Sequence, residues 1–247
     1  MQSDWFRFLG MNIKGTPPMG RPAVEHDLNV ARERCDVLVT QEFRHSWYFR
    51  AAKSVLGAEW GSSPGYAHGT LRPVAGAQGV LWRKDRFKRL RTRRAPLHAG
   101  EAGVSESRAL RAVLLQDRET GLKCWFGSTH FVVKGDEHFD TPLRRGMMRT
   151  DLEALDKFIA RRKRSGHPII FQLDANLHPG SYVYDDFMRI MRKHGATIHG
   201  EHGIEFLFTI DGEHVAVEVK KDWIVRKDEI KTDHEGRGIT ARLVKKA

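Results

Sequence analysis

The stretch that most limits what this chain can become is Pro168 to Pro179, Pro-Ile-Ile-Phe-Gln-Leu-Asp-Ala-Asn-Leu-His-Pro. Its short apolar run has the signature of a strand buried on both faces, bounded by proline at either end. Side chains alternate along a strand, so Asp174 and Asn176 point to the same side just where the strand runs out. Two polar groups ending a buried strand need hydrogen-bond partners or a ligand. An Asx turn would satisfy them locally. The carboxyl ends of strands in α/β sheets are also where ligands gather, which makes this the first place to look for chemistry.

Other segments fit around that strand. Residues 5 to 13 alternate loosely and stop before Lys14-Gly-Thr-Pro-Pro18, a strand ended by a turn that leaves Asn12 near its tip. Pro22 to Arg34 reads as a helix, with Val24, Leu28 and Ala31 at helical spacing. Asp36 to Glu42 is a second buried strand with a carboxylate at its end. Arg44 to Leu56 reads as a helix, Gly61 to Gly79 as loop with room for one strand, and Gly79 to Trp82 as a strand.

Arg86 to Arg94 holds five arginines and one lysine and reads as a solvated face, with phosphate contact as the functional alternative. Ala109 to Leu115 and Leu122 to Val133 form a hairpin pattern with His130 late in its second strand. Pro142 to Arg164 is helical, and its basic end suits the helix dipole. Tyr182 to His194 follows as a helix. Short strand patterns then run at Ala196 to His199, Phe206 to Ile210, Val215 to Val219, Asp222 to Val225 and Gly238 to Leu243.

Strands and helices recur throughout, so the class is α/β or α+β, and a chain of 247 residues with 40% hydrophobic content fits one domain over residues 1–247. A formal net charge of +11 favours a polyanionic partner: nucleic acid, a phosphorylated small molecule or an anionic membrane surface. No run approaches the roughly 18 apolar residues of a spanning helix, and no signal-peptide pattern opens the chain, so membrane insertion is not expected and an intracellular, cytoplasmic location is. Cys35 and Cys124 form no CxxC pair and read as buried free thiols.

Taken singly, each polar candidate has a plainer reading. Glu42 could be a loop carboxylate, Asn12 a turn former, His130 a satisfied core histidine, and Asp222 and the pair Asp233-His234 turn caps. In combination they nearly all fall at strand ends of one chain. Carboxylate and amide oxygens are the hard ligands that magnesium or manganese prefers, and histidines supply protons or charge to a phosphate. That combination on a basic chain points to phosphoryl chemistry.

The order of these segments resembles the endonuclease/exonuclease/phosphatase family. The matching pieces are Asn12-Ile-Lys-Gly15, Thr40-Gln-Glu42, Ser128-Thr-His130, Leu173-Asp-Ala-Asn176, Lys221-Asp-Trp-Ile224 and Thr232-Asp-His234. The resemblance implies a four-layer α/β sandwich, two face-to-face and mostly antiparallel sheets flanked by helices, with a site at one end. It implies that Glu42 binds a divalent Mg2+ or Mn2+ with help from Asn12 and Asp233, and that Asp174 orients or deprotonates water. It further implies that Asn176 holds the scissile phosphate, that His234, oriented by Asp222, stabilises developing charge, and that His130 assists the leaving oxygen. No carboxylate is assigned to His130 from the middle loop, where Gln78 and His68 lie.

The expected function is a metal-dependent phosphodiesterase, a nuclease acting on nucleic acid as a monomer, with DNA preferred to RNA. Arg108, Arg111, Arg144 and Arg145 are the candidate phosphate contacts. Two alternatives stand beside it: a phosphatase of a small or lipid phosphoester, and a non-catalytic nucleic-acid-binding domain on the same scaffold.

Overall fold

The computed structural model describes residues 1–13, 20–43, 46–63, 78–101, 105, 107–132, 141–181, 183–202 and 204–247. Among these, twelve strands and four helices follow the order β1 (Phe6–Asn12), α1 (Arg21–Arg34), β2 (Val37–Gln41), α2 (Ser46–Leu56), β3 (Trp60–Ser63), β4 (Gly79–Arg83), β5 (Phe87–Pro96), β6 (Ala109–Asp117), β7 (Lys123–His130), α3 (Pro142–Lys163), β8 (Ile169–Asp174), α4 (Tyr184–His194), β9 (Ala196–His202), β10 (Glu205–Ile210), β11 (Val215–Val225) and β12 (Gly236–Lys245). The turn at Lys14 to Pro18 and His68 lie outside the described residues.

The strands form two six-stranded sheets, ordered β11-β12-β1-β2-β4-β3 and β5-β6-β7-β8-β10-β9. All pairings are antiparallel except β1 with β2 and β7 with β8, which lie at the centre of each sheet. Leu9, Met11 and Leu38 turn outward from the first sheet to meet Val24, Leu28 and Ala31 of α1. Trp125, Phe171 and Phe208 turn outward from the second to meet Leu152, Leu155 and Phe158 of α3. Between the sheets lie Phe6, Phe8, Val39, Phe126, Ile170 and Leu207. The layers are therefore helix, sheet, sheet, helix, the expected four-layer sandwich.

Local chemistry explains the elements. Pro lies in the first turn of α1 and of α3, where no intrahelical N–H bond is lost. Thr141 caps α3 by accepting from the Arg144 N–H at 3.3 Å. Gly195 ends α4 at φ 66, a left-handed conformation that glycine adopts without steric cost. Both cysteines are free and buried.

Two expectations change. The arginine-rich run after Trp82 is part of an edge strand, β5, which is exposed along most of its length, so apolar alternation does not mark it. The two short patterns at 215–219 and 222–225 are one strand, with a register shift between Val219 and Lys221 that breaks its alternation.

Candidate active site

The two parallel pairs carry their strand ends to the same place. Asn12 is opposite Gln41 at the end of β1 and β2, and His130 is opposite Asp174 at the end of β7 and β8. Across the gap between the sheets, Asn12 Nδ2 donates to Asp174 Oδ2 at 2.9 Å. Asp174 is buried, and its other oxygen accepts from the Asn176 N–H at 3.3 Å. Glu42 follows directly on β2 and Asn176 lies two residues past β8, with φ of 54 and 51, the only non-glycine residues with positive φ among those described. Left-handed backbone is uncommon in side-chain-bearing residues and clusters at functional sites. Its occurrence at two of the positions singled out from sequence gives the pair a common origin, since each chain turns sharply as it leaves a buried strand.

Opposite Asp174, in direct register on β10, stands Glu205. His234 Nδ1 donates to Glu205 Oε1 at 2.8 Å. The His234 pKa is pushed up to about 9: burial pulls it down, but the Glu205 hydrogen bond and the charges of Asp174, Glu205 and Asp233 outweigh that. Asp174 is pushed up to about 7, first by burial and then by the Glu205 carboxylate, against the pull of His234 and Asn12. The site thus holds an imidazolium beside a carboxyl group poised near neutrality.

His130 completes the floor. Its Nδ1 is 3.0 Å from Arg108 Nη1, and because a guanidinium can only donate, Nδ1 accepts and the ring proton resides on Nε2. Nε2 faces Asp174 Oδ2 at 3.6 Å, and Glu42 Oε1 is 3.5 Å from Nδ1. Among the described residues, the carboxylates near His130 come from strand ends. Arg111 is also buried, donates to Ser63 Oγ at 3.0 Å, and has a pKa drawn down to about 10 by burial and by Arg94. No acidic partner meets it among the described residues, which leaves a buried cation open to an anion.

Three buried supports hold these groups. Asp27, on the inner face of α1, accepts from the N–H groups of Lys231 at 2.6 Å and Thr232 at 3.0 Å, fixing the segment that carries Asp233 and His234. Asp151 of α3 accepts from the Val132 N–H at 3.1 Å and from the His98 N–H at 3.0 Å, pinning the chain beyond His130. Gln41 Nε2 donates to Ser128 Oγ at 2.8 Å and to Gln172 Oε1 at 2.7 Å, and Gln172 Nε2 lies 3.4 Å from Glu205 Oε2. A chain of amides therefore runs between the sheets to the carboxylate that holds His234.

The role read for Asp222 needs correction. Asp222 lies on β11, an edge strand of the first sheet, with its carboxylate beside Gly200 and in a groove with His199 and Trp223. Glu205 holds His234 instead. Asp222-Trp-Ile and Glu205-Phe-Leu are alike as sequence, a carboxylate before an aromatic and an aliphatic residue, and only strand pairing separates them. The available signal for Glu205 was a carboxylate entering an apolar strand, the mirror image of Asp174 leaving one. Asp233 is half-exposed, with Oδ1 3.8 Å from His234 Nε2. Arg144 and Arg145 occupy the first turn of α3.

The donor set suits a hard divalent cation. Asn12 Oδ1 is buried with no hydrogen-bond partner, next to the carboxylates of Asp174 and, one strand over, Glu42. Ligand atoms of Asp174, Glu205 and His234 also lie within 4.8 Å of one another. His234 is nevertheless a poor ligand, because Glu205 and its raised pKa keep it protonated, and a ligating imidazole must give up that proton. The oxygens of Asn12 and Glu42 are the better fit.

A model of the endonuclease/exonuclease/phosphatase family matches residues 13–237. No curated protein matches the chain by sequence. Solved structures with the same fold include a mannosyl-6-phosphatase from Bacteroides thetaiotaomicron VPI-5482, with TM-score 0.74, 13% identity, and coverage of 96% of this chain and 99% of that one. The human Nocturnin catalytic domain with bound sulfate has TM-score 0.70 and 15% identity over 99% of this chain and 97% of that one. D. rerio TDP2 complexed with a single-stranded DNA product has TM-score 0.70 and 14% identity over 97% and 99%.

Proposed function

Because the chain belongs to the endonuclease/exonuclease/phosphatase family, whose members are phosphoester hydrolases, we propose that it hydrolyses phosphodiester bonds of nucleic acid with the help of Mg2+ or Mn2+. The observation that carries the reading is the buried Asp174, bridged to Asn12 and faced by His130 and the Glu205-held His234. A carboxylate raised to about 7 is matched to taking a proton from water at neutral pH. The His234 imidazolium supplies positive charge where a phosphoryl oxygen gains negative charge. Asn176, whose Nδ2 donates to the Phe131 carbonyl at 3.4 Å, would offer its remaining amide hydrogen to the phosphate, and Arg108 and Arg111 would serve a neighbouring phosphate. Glu42 and Asn12 would hold the divalent ion, which would contribute Lewis-acid charge to the phosphate, with Asp233 at the rim and Asp174 kept as the base. Arg144 and Arg145 would meet backbone farther out.

A polyanionic nucleic acid is favoured as substrate by the net charge of +11, and DNA is the polymer we expect. A second reading, a phosphatase for a small phosphomonoester, draws support from the shared fold of the mannosyl-6-phosphatase. Incubation with plasmid, single-stranded DNA, RNA and sugar phosphates in Mg2+ or Mn2+ separates the two. Chain cleavage lost in Asp174→Asn and His234→Ala is the expected result. Release of phosphate from sugar phosphates, with no polynucleotide cut, would overturn the nuclease reading in favour of the second.

A further inference from the structure

Five guanidiniums crowd the outer side of the second sheet. Arg91 and Arg93 project from edge strand β5, and Arg161, Arg162 and Arg164 sit at the carboxyl end of α3, which packs beside it. The Arg162 guanidinium lies over Trp125 at 4.9 Å and over Phe158 at 5.3 Å, with its Nε buried and unbonded. Its pKa is lowered by burial and then by the charges of Arg93, Arg161, Arg91 and Arg164. The other four are exposed, and among the described residues no carboxylate pairs with any of the five.

Two structural roles account for part of this. Charge on an edge strand discourages sheet-to-sheet pairing, and cations suit the negative end of a helix. One or two side chains suffice for each. Guanidiniums close enough to repel one another destabilise the folded chain, and no carboxylate among the described residues offsets that repulsion. A guanidinium's planar fork matches phosphate oxygens.

The patch is separate from the catalytic end. Arg162 covers Trp125, which pairs with Ile169 at the start of β8, while His130 pairs with Asp174 five residues further along the same two strands, ~17 Å away. We propose that the face formed by β5 and the carboxyl end of α3 is a second nucleic-acid contact, gripping the phosphate backbone away from the bond being cut. It deepens the nuclease reading, on which it rests for the ligand class, but it requires no cleavage. At the 3.4 Å per nucleotide of a duplex strand it lies about five nucleotides from the scissile bond. Apart from Leu90, no large exposed hydrophobic of β5 or of the carboxyl end of α3 offers itself for insertion into a bilayer, which favours nucleic acid over a lipid surface.

The test uses the hydrolysis-deficient Asp174→Asn chain and fluorescence anisotropy. Replacing Arg91, Arg93, Arg161 and Arg164 together by alanine should weaken binding of a roughly 20-nucleotide single strand at least tenfold and reduce the slope of log affinity against log salt by roughly 3. Binding of a dinucleotide should be unchanged, since its single phosphodiester cannot span the distance. The same four changes to lysine should restore most of the affinity. With Asp174 intact, the alanine variant should hydrolyse a small chromogenic phosphodiester as the parent does, which shows that it is folded. Unchanged affinity and salt slope for the long strand would overturn the proposal, as would a lysine variant as weak as the alanine one. Loss confined to anionic vesicles would overturn it in favour of a membrane. A parent chain that cuts no polynucleotide yet shows the expected binding differences would sink the nuclease reading and leave the second contact standing.

Discussion

The space between the two sheets is hydrocarbon at one end and polar at the other. At the first end Phe6 lies 5.7 Å from both Phe87 and Phe126, and Phe8 stacks on Phe126 at 6.1 Å. At the second, Gln41, Ser128, Gln172 and Glu205 hydrogen-bond to one another, and Asn12 meets Asp174. Successive inward positions of each central strand make the change: Phe8, Gly10, Asn12; Val37, Val39, Gln41; Phe126, Ser128, His130; Ile170, Gln172, Asp174. Gly10 belongs to this pattern because a Cβ there would collide with the Gln172 amide. The apolar end stabilises through burial, roughly 25 cal/mol per Å2 of apolar surface removed from water. The polar end recovers only part of the desolvation of its groups through hydrogen bonds, and it retains carboxylates that repel one another.

The largest separation between the ends should appear in paired substitutions. Asp174→Asn should lower kcat/KM by roughly 10²–10⁴ while leaving the urea midpoint of the metal-free protein unchanged or higher, because it removes a buried charge but keeps the shape. Phe126→Ala, at the other end, should cost about 3–5 kcal/mol in urea unfolding and alter kcat/KM little in the fraction that stays folded. A large stability loss in Asp174→Asn, or a catalytic loss in folded Phe126→Ala, would break the division.

The metal-free protein should also feel the polar end through pH. His234 has its folded pKa raised from 6.5 to about 9, so its contribution to stability is full below about 6.5 and is lost as pH rises through 9. Asp174, raised from 3.8 to about 7, acts with the same sign, its contribution fading between those values. Stability in chelator should therefore fall by on the order of 1–3 kcal/mol between pH 6 and 9. Asp174→Asn should flatten the slope, and Mg2+ or Mn2+ should restore stability at the alkaline end. A flat profile in chelator would show that the carboxylates are not uncompensated.

The contrast between the ends also explains what could be read from the sequence. The apolar halves of β1, β2, β7 and β8 and the polar residues ending them lie within single short segments, so Asn12, Glu42, His130 and Asp174 were legible as strand ends. Membership in a shared site is a matter of pairing, which periodicity does not encode. Glu205 faces Asp174 only because β10 lies beside β8 in direct register, while Asp222, on a similar-looking segment, ends at the far edge of the other sheet. Edge strand β5 was hidden for another reason: exposure along most of its length removes the alternation that marks a strand. Asp27 and Asp151 were invisible because a carboxylate on the buried face of a helix looks, in sequence, like a break in its apolar stripe.

Glu205→Gln offers the finest cut, since it changes charge at the polar end with almost no change of shape. The amide oxygen can still accept from His234 Nδ1, while the amide nitrogen meets the Gln172 Nε2 donor and gives up the weak 3.4 Å hydrogen bond there. What disappears is the negative charge that raises both neighbours. The His234 pKa should move from about 9 toward 6.5, and Asp174 should move down from about 7, as read by NMR titration of the metal-free chain. kcat/KM should fall by roughly 10–100-fold, the usual range for a group that orients another. The alkaline limb of the pH profile should shift to lower pH along with His234, a shift that loss of packing alone would not produce. If His234 kept its high pKa in this variant, Asp174 and Asp233 would be sufficient to hold the proton, and the positioning role given to Glu205 would be wrong.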